Sequence, residues 1–135
     1  MKQLIKTMYL SLSLLLLSCD FVPCEKVTDK DILGYYVTCY PENRSKQYIK
    51  ILENHTFTMA YCSGDSIVIE QGTWKRYNSC KVELDGIRWL WIPEDSGGIS
   101  RSRASFTWVR GMLSFGDCTS SFQKTWRKPK LACEK

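Results

Sequence analysis

The sequence predicts an all-β domain in which eight or nine antiparallel strands follow one another as a meander and close into a small barrel. Short runs of alternating apolar and polar residues are separated by turn residues, and no apolar stretch with helical period is long enough to indicate a helix. The 135 residues are 44% hydrophobic and 13% aromatic, which suits one buried core and excludes separate cofactor and substrate domains. A meander of this length leaves no unpaired edge if it closes on itself, and a two-sheet sandwich is the alternative.

The first half of the predicted barrel contains four strands. The third is the clearest, because every second residue from Phe57 to Tyr61 is large and apolar. In the fourth strand the apolar positions change parity between Ile69 and Trp74, and a β-bulge near Gly72 is the simplest explanation. The four strands are 33–40, 47–53, 56–62 and 66–76.

The second half contains up to five strands. Val82 and Leu84 lie on one face of the fifth, which turn residues bracket on both sides. The sixth, 87–92, ends before a proline, and the polar segment 94–103 is the longest expected loop. Gly111 divides a hairpin between the next two strands. The last three strands are 104–110, 112–115 and 121–127.

The N-terminus has the pattern of an export signal. Lys2 and Lys6 precede an apolar run, residues 10–17, that is too short to span a bilayer as a helix. The run ends in the letters LLSC at 16–19, which resemble the lipobox of bacterial lipoprotein signals. The resemblance implies cleavage before Cys19, a diacylglyceryl group on its thiol and an acyl chain such as palmitate on the new amine. We expect a protein anchored by lipid to a membrane of the bacterial cell envelope, on its periplasmic or surface face; an ordinary secretory signal is the alternative.

The chain divides into three parts on this basis. Residues 1–18 are the signal peptide, 19–32 the lipidated N-terminus and linker, and 33–133 the barrel domain. Loss of Lys2 and Lys6 with the signal lowers the formal net charge from +5 to +3. A mildly basic envelope protein does not meet nucleic acid, and its basic residues do not gather on one predicted helix, so no nucleic-acid partner is expected.

Six cysteines remain when Cys19 is assigned to lipid, and an even number in an exported chain indicates disulfides. A zinc site would need closely spaced cysteines or several histidines, and His55 is the single histidine. No metal or other cofactor is therefore expected. The six are Cys24, Cys39, Cys62, Cys80, Cys118 and Cys133.

The order of the strands favours one of the possible disulfide pairings. If strand directions alternate, two cysteines fall at the far end of up-going strands and two fall beyond the near end of down-going strands. The remaining two lie toward the chain termini. The favoured pairs are Cys39–Cys62, Cys80–Cys118 and Cys24–Cys133.

Three segments of the predicted meander resemble small lipocalin-like bacterial lipoproteins. They are LGYY at 33–36, the hairpin ILENHTFT at 51–58 and GTWK at 72–75. The resemblance covers about residues 33–92. It implies a lipocalin-like barrel and, with it, the binding of a small apolar ligand.

No constellation of residues in the sequence indicates catalysis. A nucleophile needs an activating base, and His55 falls in a predicted turn with no carboxylate placed to orient it. The carboxylate pairs lie in polar loops, and neither a phosphate-binding loop nor a nucleophile motif is present. We therefore expect a protein that is not an enzyme and has no catalytic residues.

Aromatic side chains offer a candidate ligand site. Trp89 and Trp91 fall on one face of the sixth strand while Leu90 and Ile92 fall on the other, so both faces are apolar. Either the long loop covers the outer face or that face binds a ligand. The candidate ligand-binding residues are Trp89, Trp91 and Trp108.

Basic residues are concentrated in the second half of the domain. Beneath a tethered domain they could contact the anionic headgroups of membrane lipids, and an ordinary solvated surface is the alternative. They are Arg101, Arg103, Arg110, Lys124, Arg127, Lys128 and Lys130.

Two functions from different classes fit these expectations. The first is a lipid-anchored, non-enzymatic envelope protein whose lipocalin-like barrel binds a small apolar ligand. The second is a protein–protein interaction module with a solid barrel, either an inhibitor or a lipoprotein of an envelope assembly. An inhibitor of lysozymes is disfavoured, because those enzymes are usually basic and a basic domain would be repelled by them.

Overall fold

Eight antiparallel strands close into a barrel in the computed structural model, which describes residues 26–88, 102–115 and 121–135. Each strand pairs with the next along the chain, and the eighth pairs with the first from Tyr35↔Thr125 to Thr38↔Phe122, which closes the ring. The predicted all-β antiparallel barrel is confirmed. The strands are β1 Gly34–Thr38, β2 Gln47–Ile51, β3 Thr56–Ser63, β4 Ser66–Asn78, β5 Lys81–Ile87, β6 Ser102–Val109, β7 Met112–Ser114 and β8 Phe122–Thr125.

Side chains of the described residues fill the interior of the barrel. Tyr36, Phe57 and Phe106 point inward from three different strands and are completely buried. The rings of Phe106 and Phe122 pack edge to face, with centroids 5.9 Å apart. Burial of each large apolar side chain contributes roughly 1.5–3 kcal/mol to stability. The same core includes Ile49, Ile51, Met59, Trp74, Val82, Leu84, Ile87 and Leu113.

A short helix, α1 (Asp29–Ile32), closes the end of the barrel where β1 begins and β8 ends, which we call the near end. Ile32 is completely buried in the interior core, and its carbonyl accepts a hydrogen bond from the hydroxyl of Tyr36. That hydroxyl also accepts a hydrogen bond of 3.2 Å from Nε1 of Trp108. Burial raises the pKa of Tyr36, so its hydroxyl remains a neutral donor. The helix lies in the segment that the sequence assigned to a linker.

Asp31 fixes the start of α1. Its carboxylate accepts hydrogen bonds from the backbone N–H of Thr28 at 2.7 Å and from the Thr28 hydroxyl at 2.8 Å. These bonds stabilise the ionised carboxylate and lower the pKa of Asp31 below its usual value.

Within the described ranges, no helix is both long and apolar enough to cross a membrane.

The β-bulge predicted near Gly72 is wrong. Strands β3 and β4 pair without interruption from Thr56↔Thr73 to Ser63↔Ser66, so Gly72 lies in regular register. The apolar parity changes because Ile67 and Ile69 face outward, where they are 40% and 64% exposed, and not because the strand slips. Gly72 is required by packing, since a Cβ there would meet ring carbons of Phe57 at 2.5 Å.

A register shift instead occurs in β5, at the place where the sequence predicted a turn between two strands. The pairing with β6 shifts between Asp85 and Ile87, and Gly86 between them has a φ of +98°. A glycine tolerates this conformation, so the strand bends and continues to Ile87. Residues 89–92 of the predicted sixth strand lie outside the described residues.

The chain after β8 returns along the outside of the barrel. Leu131 is 2% exposed and packs in a second apolar cluster with Val37, Tyr48 and Ala60 on the outer faces of β1, β2 and β3. The backbone N–H of Ala132 donates a 2.7 Å hydrogen bond to the carbonyl of Ser45, and the next residue is held by a disulfide. This C-terminal tail, residues 126–135, is therefore an integral part of the fold.

The disulfide of the tail contradicts two of the favoured cysteine pairs. Cys133 bonds to Cys62, with the two Cα atoms 5.8 Å apart, so Cys62 cannot pair with Cys39 and Cys133 cannot pair with Cys24. The favoured pairing was wrong because it placed Cys133 close to Cys24, near the N-terminus. The tail instead carries that cysteine back to the opposite end, where β3 ends.

Two other cysteines are described. Cys80 is 6% exposed and disulfide-bonded, while its expected partner Cys118 lies outside the described residues. Sγ of Cys39 lies 3.7 Å from Sδ of Met112. Cys19 also lies outside the described residues, so its lipidation stays a prediction.

Candidate functional site

Trp126, the first residue after β8, has a completely exposed side chain. A tryptophan is highly buried on average, because its large ring is costly to hydrate. Here it lies at the near end of the barrel, where it follows the pairing of Thr125 with Tyr35. An exposed aromatic residue of this size is a marker of interaction surfaces.

A cleft of about 540 Å³ lies on one side of Trp126. Its walls come from α1, from the turn between β6 and β7, and from β8. Burial lowers the pKa of Lys124, whose Nζ donates a 2.6 Å hydrogen bond to the backbone carbonyl of Asp31. The aromatic and charged side chains that line the cleft are two indoles, Trp108 and Trp126, three cations, Lys30, Arg110 and Lys124, and the carboxylate of Asp31.

A second cleft, of about 590 Å³, lies on the other side of Trp126, between the tail and the outer face of β1. Its apolar lining includes Val37 and two prolines. Nζ of Lys128 lies 3.6 Å from Oε1 of Glu134, which is an exposed ion pair of little net strength. The cations along this cleft are Arg44, Arg127, Lys128 and Lys130.

Together the two clefts form a continuous basic surface around an exposed indole, which we call the Trp126 surface. We define it by the two tryptophans and by the seven cations named for the two clefts. The ionised carboxylate of Asp31 offsets one of these seven charges, so the surface keeps a clear excess of positive charge. The disulfide and the burial of Leu131 hold the tail in place, so the surface is ordered before anything binds.

No protein-family model, curated protein or solved structure matches this chain. The function of the Trp126 surface therefore has to follow from its own residues.

Of the three predicted ligand-binding tryptophans, only Trp108 lies within the described residues. It packs against the interior core and also lines the first cleft. Trp89 and Trp91 lie outside the described residues. Trp126, which the sequence placed within the last strand, 121–127, lies one residue beyond β8. The sequence contained one indication that the strand ends before Trp126. The next residues are Arg127, Lys128 and Pro129, and such a run is atypical of a buried strand.

The end of the barrel opposite α1 contains polar groups. Glu70 and Arg88 form a two-pronged ion pair, with Nε–Oε2 at 3.1 Å and Nη2–Oε1 at 3.0 Å, and their side chains are 16% and 24% exposed. Gln47 is 3% exposed, and its Oε1 has no hydrogen-bond partner within the described part of the chain. Residues 89–101 and 116–120 lie outside the described residues.

Residues considered for catalysis or metal binding lie apart in the described ranges. His55 is exposed in the turn between β2 and β3, as the sequence predicted, with its ring 5.1 Å from that of Trp74. Across residues 26–88, 102–115 and 121–135, His, Cys, Asp and Glu do not form a group of three or more that could hold a metal ion. The Trp126 surface is thus the strongest candidate for a functional site.

Proposed function

We propose that this protein is a lipid-anchored protein of the bacterial cell envelope, without enzymatic activity, that acts as an interaction module. A solid barrel holds the Trp126 surface rigidly toward an anionic partner. The observation that carries this proposal is the complete exposure of Trp126 between two basic clefts, in a barrel whose described interior is packed.

The packed interior favours an outer surface over an internal cavity. Tyr36, Phe57, Phe106 and their neighbours occupy the space that a lipocalin-like ligand would need, and Ile32 closes the near end. Displacing such side chains would cost several kcal/mol for each one, because buried aromatic groups contribute about 3–5 kcal/mol. A surface that is already ordered binds without this cost.

The charge of the surface supports an anionic partner. Seven cations lie around Trp126 among the described residues, against the two nearby carboxylates of Asp31 and Glu134, which leaves an excess of five positive charges. Complementary charge speeds encounter and suppresses partners of like charge. An inhibitor of a basic enzyme is therefore the less favoured form of the interaction module.

Binding of a small apolar ligand is the second candidate function. Trp108 supports it, because this predicted ligand-binding residue lines the first cleft together with a second indole. A ligand there would lie at the rim of the barrel and not within it.

Native mass spectrometry separates the two candidates. We expect the chain from Asp20 onward, purified from a periplasm without refolding, to show the mass of the polypeptide alone. The same mass should be found after mild unfolding, because the interior is filled by side chains. Additional mass that is released on unfolding would instead show a bound molecule and would support the second candidate.

The lipid anchor is tested by Cys19→Ala in the full chain. We expect the variant to be lost from the membrane fraction and to lack the mass of the acyl chains, because the acceptor thiol is gone. Ser13→Ala, a mild change in the same segment, is the matched control and should remain with the membrane. An unchanged membrane fraction and mass for Cys19→Ala would contradict the anchor.

A further inference from the structure

We infer that the Trp126 surface docks on the anionic phospholipid headgroups of the membrane that carries the lipid anchor. The inference rests on the proposed function and names its partner. The barrel would then lie on the bilayer in one orientation, held by both its N-terminal lipid and this surface.

A short segment of chain joins the proposed anchor to the near end of the barrel. The described residues begin at Lys26, three residues before α1, and α1 contributes Lys30 and Asp31 to the first cleft. Seven peptide units join Cys19 to Lys26, which can span at most about 25 Å when fully extended. The near end of a barrel anchored at Cys19 must therefore remain within about that distance of the bilayer.

The charge of the surface matches such a membrane. Each Lys or Arg close to an anionic lipid surface contributes about 1 kcal/mol, and this attraction decays within a Debye length of about 8–10 Å. A short tether allows the cations of the near end to come within that range of the bilayer. Arg127 and Lys130 are exposed and therefore accessible to headgroups.

Trp126 has the chemistry of the membrane interface. Its ring is apolar over most of its surface and carries one N–H donor, and tryptophans are enriched at the level of the headgroups for this reason. The tail that carries it is fixed by Leu131 and by the Cys62–Cys133 disulfide, so little conformational entropy is lost on docking.

Binding to vesicles tests the inference. The chain from Asp20 onward contains all eight described strands, α1 and the tail, and it has no lipid of its own, so any binding comes from the protein surface. Co-sedimentation is measured with vesicles of phosphatidylcholine alone and of phosphatidylcholine mixed with phosphatidylglycerol. We expect binding to the mixed vesicles only, and we expect added salt to weaken it.

Surface variants locate the binding. Arg127→Gln combined with Lys130→Gln should lower the partition coefficient about tenfold or more, since two cations are lost. Trp126→Ala should lower it up to about tenfold, because an apolar ring no longer enters the interface. The matched control is Lys46→Gln with Lys135→Gln, which removes the same charge from two exposed residues that line neither cleft and lie toward the end of the barrel opposite α1, and it should change binding little. Circular dichroism checks that all variants are folded.

Several outcomes would overturn the inference. They are equal binding to both kinds of vesicle, no binding to either, or an equal loss of binding in the control variant. Selective capture of an acidic protein in place of the mixed vesicles would overturn it as well, while leaving the interaction module intact. The vesicle test uses an unlipidated chain, so it can fail independently of the Cys19→Ala test and of the native mass measurement.

Discussion

Removing the Cys62–Cys133 disulfide is expected to lower the free energy of unfolding by about 4 kcal/mol. The two cysteines are 71 residues apart in the sequence, so the bond closes a long loop and removes many conformations from the unfolded chain. The double variant Cys62→Ala/Cys133→Ala makes the change without leaving an unpaired thiol. Urea unfolding at neutral pH, compared with the parent chain, gives the difference.

Two variants of the tail separate the effect of the bond from the effect of packing. Lys128→Ala removes an exposed side chain that has one weak ion pair, and it should change stability by less than about 0.5 kcal/mol. Leu131→Ala keeps the disulfide but loses a buried side chain, and it should cost about 2–3 kcal/mol. A loss below about 1 kcal/mol for the double cysteine variant would contradict the predicted role of the bond.

Gly72→Ala is expected to destabilise the barrel by about 3 kcal/mol. An added Cβ would lie 2.5 Å from two ring carbons of Phe57 and would also collide with the backbone carbonyl of Asp85. Neither neighbour can move easily, since the ring is completely buried and the carbonyl belongs to the paired strand β5. Thermal and urea unfolding of the variant measure the cost.

Gly64→Ala is the control for this substitution. It adds the same methyl group at a turn where no atom lies within 4 Å, so its cost should be limited to about 1 kcal/mol for the positive φ of that residue. Combining Gly72→Ala with Phe57→Leu should recover part of the stability lost by the two changes separately, because the ring collision is removed. Equal costs for Gly72→Ala and Gly64→Ala would show that packing at Gly72 is not the cause.

The fold class was predictable because alternation along the strands is a local property of the sequence. Phe57 and Met59 point inward as expected, and the expected strands match those of the structure closely in β2 and β3. Helix α1 was missed because four residues are too few to show a helical period. The helix closes the near end of the barrel because Ile32 packs in the core, and this tertiary contact is not visible in a local sequence pattern.

The candidate site was less predictable, because it depends on how the chain reverses after the last strand. The sequence identified the basic residues of the second half and the possibility that they contact lipid headgroups. It did not show that the tail returns to Cys62, or that Lys30 of α1 and Arg44 lie beside Trp126. These neighbours come from distant parts of the chain, and local patterns contain no information about them.

The return of the tail also determines how the domain carries mechanical force. A pull between the proposed N-terminal membrane anchor and Lys135 has a path through β1, β2 and β3 that then crosses the Cys62–Cys133 bond. Strands β4 to β8 lie in the loop that this bond closes. Tension applied at Lys135 therefore enters the barrel through the end of β3 as well as through the four-residue strand β8.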